Sequence, residues 1–141
     1  MTQKSQILSE FVDMNDKVMY KFRTRFHLQV KEFIKDMTLL QLQGCMVVAE
    51  ARQVKMSDFA KILNLKTSGA TQLIDKLVEN KIVQRIQNKI DRRNVIITLT
   101  NKTKSNMIKI KKIKTSILEE LFSPLSDSEL QSLNTLFKKI L

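Results

Sequence analysis

The stretch MSDFAKILNLKTSGATQLIDKLVENKIVQRIQNKIDRRNVIITLT, from Met56 to Thr100, changes its apolar period partway, and that change decides the fold. Up to Val78 the apolar residues step by three and four. Phe59, Ala60, Ile62 and Leu63 predict a short helix capped by Ser57, and Ala70, Leu73, Ile74, Leu77 and Val78 predict a second capped by Thr67. Between them Asn64-Leu65-Lys66 leaves room only for a tight turn. Further on, Ile82 to Gln87 and Val95 to Thr100, with Val95, Ile97 and Leu99 alternating, predict two strands around a polar tip at Asn88 to Asn94.

Upstream, Thr38 and Gln41 form a capping box that opens a helix carrying Leu39, Leu42, Met46 and Ala49 and ending near Ala51. Before it, apolar residues from Ile7 through Phe11, Val18, Phe22, Phe26, Val30 and Phe33 keep helical spacing from about Ser5 to Met37, one long amphipathic helix. Downstream, Ile110, Ile113, Ile117 and Leu121 predict a helix of roughly 30 Å that stops before Pro124. Ser126 with Glu129 is a second capping box, opening a last helix with Leu130, Leu133, Leu136, Phe137, Ile140 and Leu141 apolar.

The chain has 141 residues with a net charge of +11, and 43% of its residues are apolar. It is therefore a folded basic protein of one ordinary domain's size. Residues 82 to 114 hold ten of the 25 basic residues and a single acid, so the excess is concentrated there. One cysteine, Cys45, and one histidine, His27, leave no disulfide, no metal set and no cofactor requirement to assemble. Nor is there a paired acid and base or an activated nucleophile, so an enzyme is disfavoured. No apolar run has the length of a membrane span, and the N-terminus lacks an apolar leader, so a cytoplasmic location without membrane association is expected.

Helix, turn, helix and basic hairpin is the order of a winged helix-turn-helix, whose second short helix enters the major groove of duplex DNA while the hairpin reaches an adjacent groove. Thr67, Ser68, Gly69, Thr71, Gln72, Asp75 and Lys76 lie off the apolar stripe of that second helix. They are short donors and acceptors plus a cation, although a merely solvated face has a similar composition. Gln72 is suited to adenine, and Lys76 to phosphate or guanine. In the hairpin, Arg85, Lys89, Arg92 and Arg93 supply cations, and Asp91 is expected to pair with Arg92, Arg93 or Arg85. Lys102 and Lys104 follow as candidate phosphate contacts, and the later lysines of that helix serve equally well as a solubilising face.

Thr38 to Gln41, Met56-Ser57-Asp58-Phe59-Ala60 to Leu65, Ala70 to Leu77, Ile82-Val83-Gln84-Arg85, Asp91-Arg92-Arg93 and Leu99-Thr100 together resemble the MarR family of bacterial regulators, over about residues 38 to 104. The resemblance implies a homodimeric DNA-binding transcriptional regulator with Arg93 at the wing tip in the minor groove and Asp91 orienting the wing. The family usually carries glycine where this chain has Lys81 and again near Thr103, and Asn80 is expected to supply the left-handed turn instead. Peroxide-sensing members carry a reactive cysteine in the first helix, where this chain has Asp13 and other non-thiol residues. Cys45, mid-helix among apolar neighbours, is expected to be buried and inert.

The expected architecture is mainly α, with a small β-hairpin wing and long N- and C-terminal dimerisation helices. Residues 1–37 and 102–141 form the helical dimerisation region, and 38–101 the winged helix-turn-helix. The expected function is a sequence-specific repressor, a homodimer on a pseudo-palindrome. A small-molecule effector relieving it would lie in a cleft between the two regions, near Met14, Met19, Met37 and Met46. The rival is a basic helical adaptor that uses a winged fold to hold an acidic protein partner.

Overall fold

The computed structural model describes every residue from Met1 to Leu141. In chain order it holds α1 (Gln3–Ile34), α2 (Leu39–Ala51), β1 (Gln53–Lys55), α3 (Met56–Ile62), α4 (Thr67–Glu79), β2 (Val83–Gln87), β3 (Val95–Leu99), α5 (Asn101–Leu121) and α6 (Asp127–Ile140). Two compact units result, one of Met1–Lys31 with Lys111–Leu141 and one of Glu32–Ile110.

The second unit is built on the periodic stripes of α2, α3 and α4. Phe59, Ile74, Leu77, Val48 and Ile97 are fully buried there, with Val54, Leu73, Val83 and Leu99 around them. Both capping boxes form: Thr38 Oγ1 accepts from the Gln41 N–H at 3.1 Å while Gln41 Oε1 accepts from the Thr38 N–H at 3.1 Å, and Ser126 with Glu129 repeats the pattern at α6. α1 stops at Ile34, short of the expected Met37, where the chain makes a tight turn closed by the Met37 N–H donating to the Ile34 carbonyl at 3.0 Å, just ahead of the extended cap residue Thr38.

Two expected caps are corrected. α3 begins two residues and α4 one residue earlier than their hydroxyls imply, after Lys55 and Lys66, neither of which makes a side-chain cap bond. Ser57 and Thr67 therefore sit inside the first turns, where the hydroxyls are left free to face outward. The turn between these helices is a Schellman motif: the Leu65 N–H donates to the Ala60 carbonyl at 2.8 Å and the Asn64 N–H to that of Lys61 at 3.1 Å, with Asn64 left-handed at φ 52°. α4 ends in the same motif, Ile82 to Leu77 and Lys81 to Val78, both at 2.9 Å. Here Lys81 itself takes the left-handed conformation, φ 57°, and Asn80 remains at φ −80°, which corrects the expectation placed on Asn80. Two backbone bonds and the half-buried side chain of Ile82 offset a left-handed cost of about 1 kcal/mol for a residue with a Cβ.

The predicted hairpin is present, but it is part of a three-stranded antiparallel sheet ordered β1-β3-β2. Val54 of β1 and Arg85 of β2 both lie opposite Ile97, at the centre of β3. Thr98, the one buried polar residue, donates from Oγ1 to the Arg52 carbonyl at 3.1 Å, tying β3 to the end of α2. Thr100 then starts α5: its Oγ1 donates to the Lys81 carbonyl at 2.8 Å and accepts from the Thr103 N–H at 3.3 Å.

In the first unit, the Phe22 and Phe26 rings stack at 5.5 Å, the Lys114 ammonium lies 5.4 Å from the Phe26 centroid, and Arg25 pairs with Glu120 at 3.1 Å. Val30 and Ile117 are its only buried side chains. α6 buries none, although Leu130, Leu136, Phe137 and Ile140 occupy it. No helix is long and apolar enough to cross a membrane.

Candidate nucleic-acid interface

Burial of Ala70, Leu73, Ile74 and Leu77 fixes the rotation of α4 and so decides what it shows to solvent. Thr67, Ser68, Thr71, Gln72, Asp75 and Lys76 are exposed on the other side, and Gly69 is half-buried. A Cβ built on Gly69 meets no atom within 4 Å, so the core does not require glycine there. Two of these side chains are already engaged. Thr71 Oγ1 donates to the Thr67 carbonyl at 2.9 Å, and Lys76 pairs with Glu79 at 3.0 Å, so it is not the free cation the stripe implies.

The wing is organised by its own side chains. Asp91 makes no ion pair with Arg85, Arg92 or Arg93, contrary to expectation. Its short arm reaches the backbone instead: Oδ1 accepts from the Arg93 N–H at 3.0 Å and Oδ2 from Asn94 Nδ2 at 3.2 Å, an Asx turn that shapes the tip. Arg85 is paired with Asp75 of α4, which ties the base of the wing to the helix. Arg92 and Arg93 are exposed and belong to no ion pair, as does Lys89.

Between α3, the start of α4 and the wing lies a cleft of about 420 Å³, lined by Lys55, Ser57, Thr67, Thr71, Arg85 and Arg93 together with Asn94 and apolar Met56, Ala60 and Val95. Three cations and three hydroxyls thus converge on one concave surface beside the first turn of α4. Its exposed backbone N–H groups add partial positive charge at that end. Lys55 and Ser57 were not among the expected contacts. Lys55 ends β1, a three-residue strand too short for alternation to reveal in the sequence, and Ser57 follows it in the first turn of α3. Gln72 does not line this cleft, and neither do Lys102 and Lys104. Lys104 lies beside Arg52, Gln53 and Thr98 in a smaller groove.

Lys102 instead borders a second cavity of about 370 Å³, with Glu32, Asp36 and Lys81 also on its wall. Its apolar lining includes Phe33, Met37, Leu42, Cys45, Ile82, Met107 and Ile110. Of the methionines expected to line a cleft only Met37 does so. Met14, Met19 and Met46 are exposed elsewhere, and Met107 takes their place. Cys45 is 4% exposed, and burial pushes its thiol pKa up, in the direction of an unreactive protonated group.

Known proteins share the winged-helix fold described above. The family model described as transcriptional regulator SarA/Rot matches residues 17–110, about two thirds of the chain. A curated relative, the HTH-type transcriptional regulator YpoP of Bacillus subtilis, is 26% identical over 141 residues, covering 99% of this chain and 97% of that protein. Among solved structures, a MarR-like transcriptional regulator of Thermotoga maritima superposes with a TM-score of 0.74 at 25% identity, covering 99% of this chain and 94% of the other. A mutant MarR of E. coli in complex with operator DNA superposes with a TM-score of 0.57 at 22% identity, covering 100% and 99%. With a mainly helical winged fold and a cationic cleft beside the second helix of its helix-turn-helix, the chain belongs to the SarA/Rot family of transcriptional regulators, winged-helix proteins of the MarR type.

Proposed function

We propose that the protein is a homodimeric repressor, its two copies of α4 entering successive major grooves of a pseudo-palindromic operator and its wings reaching the flanking minor grooves. The observation that carries this reading is the cleft in which Lys55, Arg85 and Arg93 meet the hydroxyls at the start of α4. Phosphate held there would set the register of the helix on the duplex, leaving Ser68 and Gln72 to reach base edges. The unburied apolar face of α6 supports a second copy. Two-fold symmetry then requires half-sites separated by about one helical turn, ~34 Å. The DNA complex of the E. coli MarR relative supports the same partner for this chain.

Selection of duplexes from a random pool tests the whole reading. The expected result is an enriched inverted repeat, bound with a steep salt dependence. Failure to enrich any sequence would favour the acidic-partner reading, in which the winged fold serves as a basic adaptor.

Single substitutions separate the roles of the contacts. Arg93→Ala is expected to cost about 1–3 kcal/mol of binding, most on sites with narrow AT-rich flanks, and Gln72→Ala to relax preference at one base pair of each half-site. Lys102→Ala should weaken all sequences alike and lower the salt slope by roughly one unit per lost phosphate contact. Titrations of each variant across salt concentrations distinguish these outcomes. Wild-type behaviour in all three would remove DNA from this surface.

The 370 Å³ cavity is the place where a small apolar effector would act, since it joins the end of α1, the start of α5 and the Lys81 turn after α4. Cys45 is not a redox switch in this reading, because a buried thiol whose pKa is raised stays protonated. Peroxide is therefore expected to leave DNA affinity unchanged in the wild type and in Cys45→Ala alike. A peroxide-dependent loss of binding that disappears in the variant would make Cys45 the sensor.

A further inference from the structure

The wing tip carries one side chain that its surroundings do not explain. Ile90 is 98% exposed, at the apex of a turn otherwise made of amides, a carboxylate and cations. Its position is built and not slack. The Ile90 N–H donates to Asn88 Oδ1 at 3.0 Å, and the Asn88 N–H to the Asn94 carbonyl at 3.1 Å. The Asn94 N–H donates to the Asp91 carbonyl at 3.0 Å, and Gln87 Nε2 to that of Arg92 at 3.3 Å. With the Asx turn of Asp91, these bonds engage Asn88, Asp91 and Asn94, the uncharged and acidic polar side chains of the loop. What is left is Lys89, Ile90, Arg92 and Arg93, all exposed, an isoleucine set among three cations that make no ion pair, of which Arg93 also borders the cleft beside α4.

We infer that Ile90 is a DNA-contacting residue that packs against the deoxyribose walls of the minor groove beside Arg93. The inference rests on the proposed placement of the wing in that groove. The three cations select a polyanion, and the minor groove is the part of that polyanion with apolar walls, lined by sugar C–H groups about 6 Å apart. Aliphatic side chains are used in this groove by other architectures. The branched isoleucine, already held out by the turn, would lose little freedom on entering and would remove apolar surface from water. Unlike Arg93, it displaces no counterion, so its contribution has a distinct signature: affinity without salt dependence.

The test uses the duplex that the wild-type protein enriches from a random pool, with affinities read by fluorescence anisotropy over a range of salt. Ile90→Ala is expected to weaken binding about fivefold per wing, the value of roughly half-burying an isoleucine side chain. The salt slope and the melting temperature should not change, because Ile90 covers nothing in the fold. Ile90→Leu should retain most of the affinity, and Ile90→Asn should lose as much as alanine. Replacing flanking adenines by 2,6-diaminopurine, which adds an amino group to the minor groove, should penalise the wild type more than Ile90→Ala. Wild-type affinity in Ile90→Ala, or an equal diaminopurine penalty in both proteins, overturns the inference. If Arg93→Ala still weakens binding and lowers the salt slope, the wing reading survives that failure. If neither variant weakens binding, the placement of the wing is what has failed.

Discussion

Phe59→Ala is expected to lower the stability of the winged unit by about 3–5 kcal/mol. The ring is 0% exposed and lies where α2, α3 and α4 converge. A Cβ built on Gly44 of α2 would sit 3.2 Å from Phe59 Cζ, 3.2 Å from Leu77 Cδ1 and 3.3 Å from Leu73 Cδ2, which measures how closely the helices approach at that point. Alanine would leave a cavity that these neighbours cannot close, because Leu73 and Leu77 are themselves held by the backbone of α4. Against a domain stability of about 5–15 kcal/mol, the loss removes about a fifth of the total at the least and nearly all of it for a marginal domain. It also unseats α4, so DNA binding should fall together with the urea midpoint followed by circular dichroism. Phe59→Leu, which keeps most of the volume, should cost less than about 1.5 kcal/mol. A loss below about 1 kcal/mol for alanine would mean that the three helices do not depend on this ring for their packing.

The helices and the wing were legible because each has a local cause. The stripes of α3 and α4, the capping boxes at Thr38 and Ser126, and the alternation in β3 all lie within a few residues of the features they determine. The exposed face of α4 was legible for the same reason, being what remains once the apolar stripe is buried. β1 was missed because three residues with one apolar member, Val54, carry no periodic signal, and Lys55 was missed with it. Intrinsic preference points to Asn80 as the left-handed residue after α4. The Schellman bonds, which depend on where α4 stops, put it at Lys81. Pairings across elements were the least legible. Arg85 meets Asp75 because β2 returns beside α4, and that register comes from packing, not from a spacing of ten residues.

Glutamates at Phe137 and Ile140 are expected to convert the proposed dimer to a monomer and to weaken operator binding by about 100-fold or more, the avidity lost when two linked half-sites become independent. α6 has the cap, acidic first turn and basic last turn of a well-formed helix, yet none of its residues is buried. Leu130 is 42% exposed, Phe137 52%, Leu136 58% and Ile140 79%, although helical spacing gathers them on one side. In the same unit Ile7, Phe11, Met14 and Val18 form a matching stripe along α1, also exposed. Contiguous apolar surface of more than a few hundred Å² is rarely left open to water, and in the proposed dimer a two-fold axis would set this face against the same face of the second copy. Glutamate is a good helix former and both positions face solvent in the single chain, so the helical signal and the melting of the winged unit should persist in the variant. Sedimentation is expected to report about twice 16.4 kDa for the wild type and 16.4 kDa for the variant. The residual DNA binding of the variant should keep the base preference of a single half-site, because α4 and the wing are untouched, while losing the dependence on spacing between half-sites. A wild-type protein that sediments as a monomer at micromolar concentration would remove the symmetric operator from the proposal, and a variant that stays dimeric would move the interface away from α6.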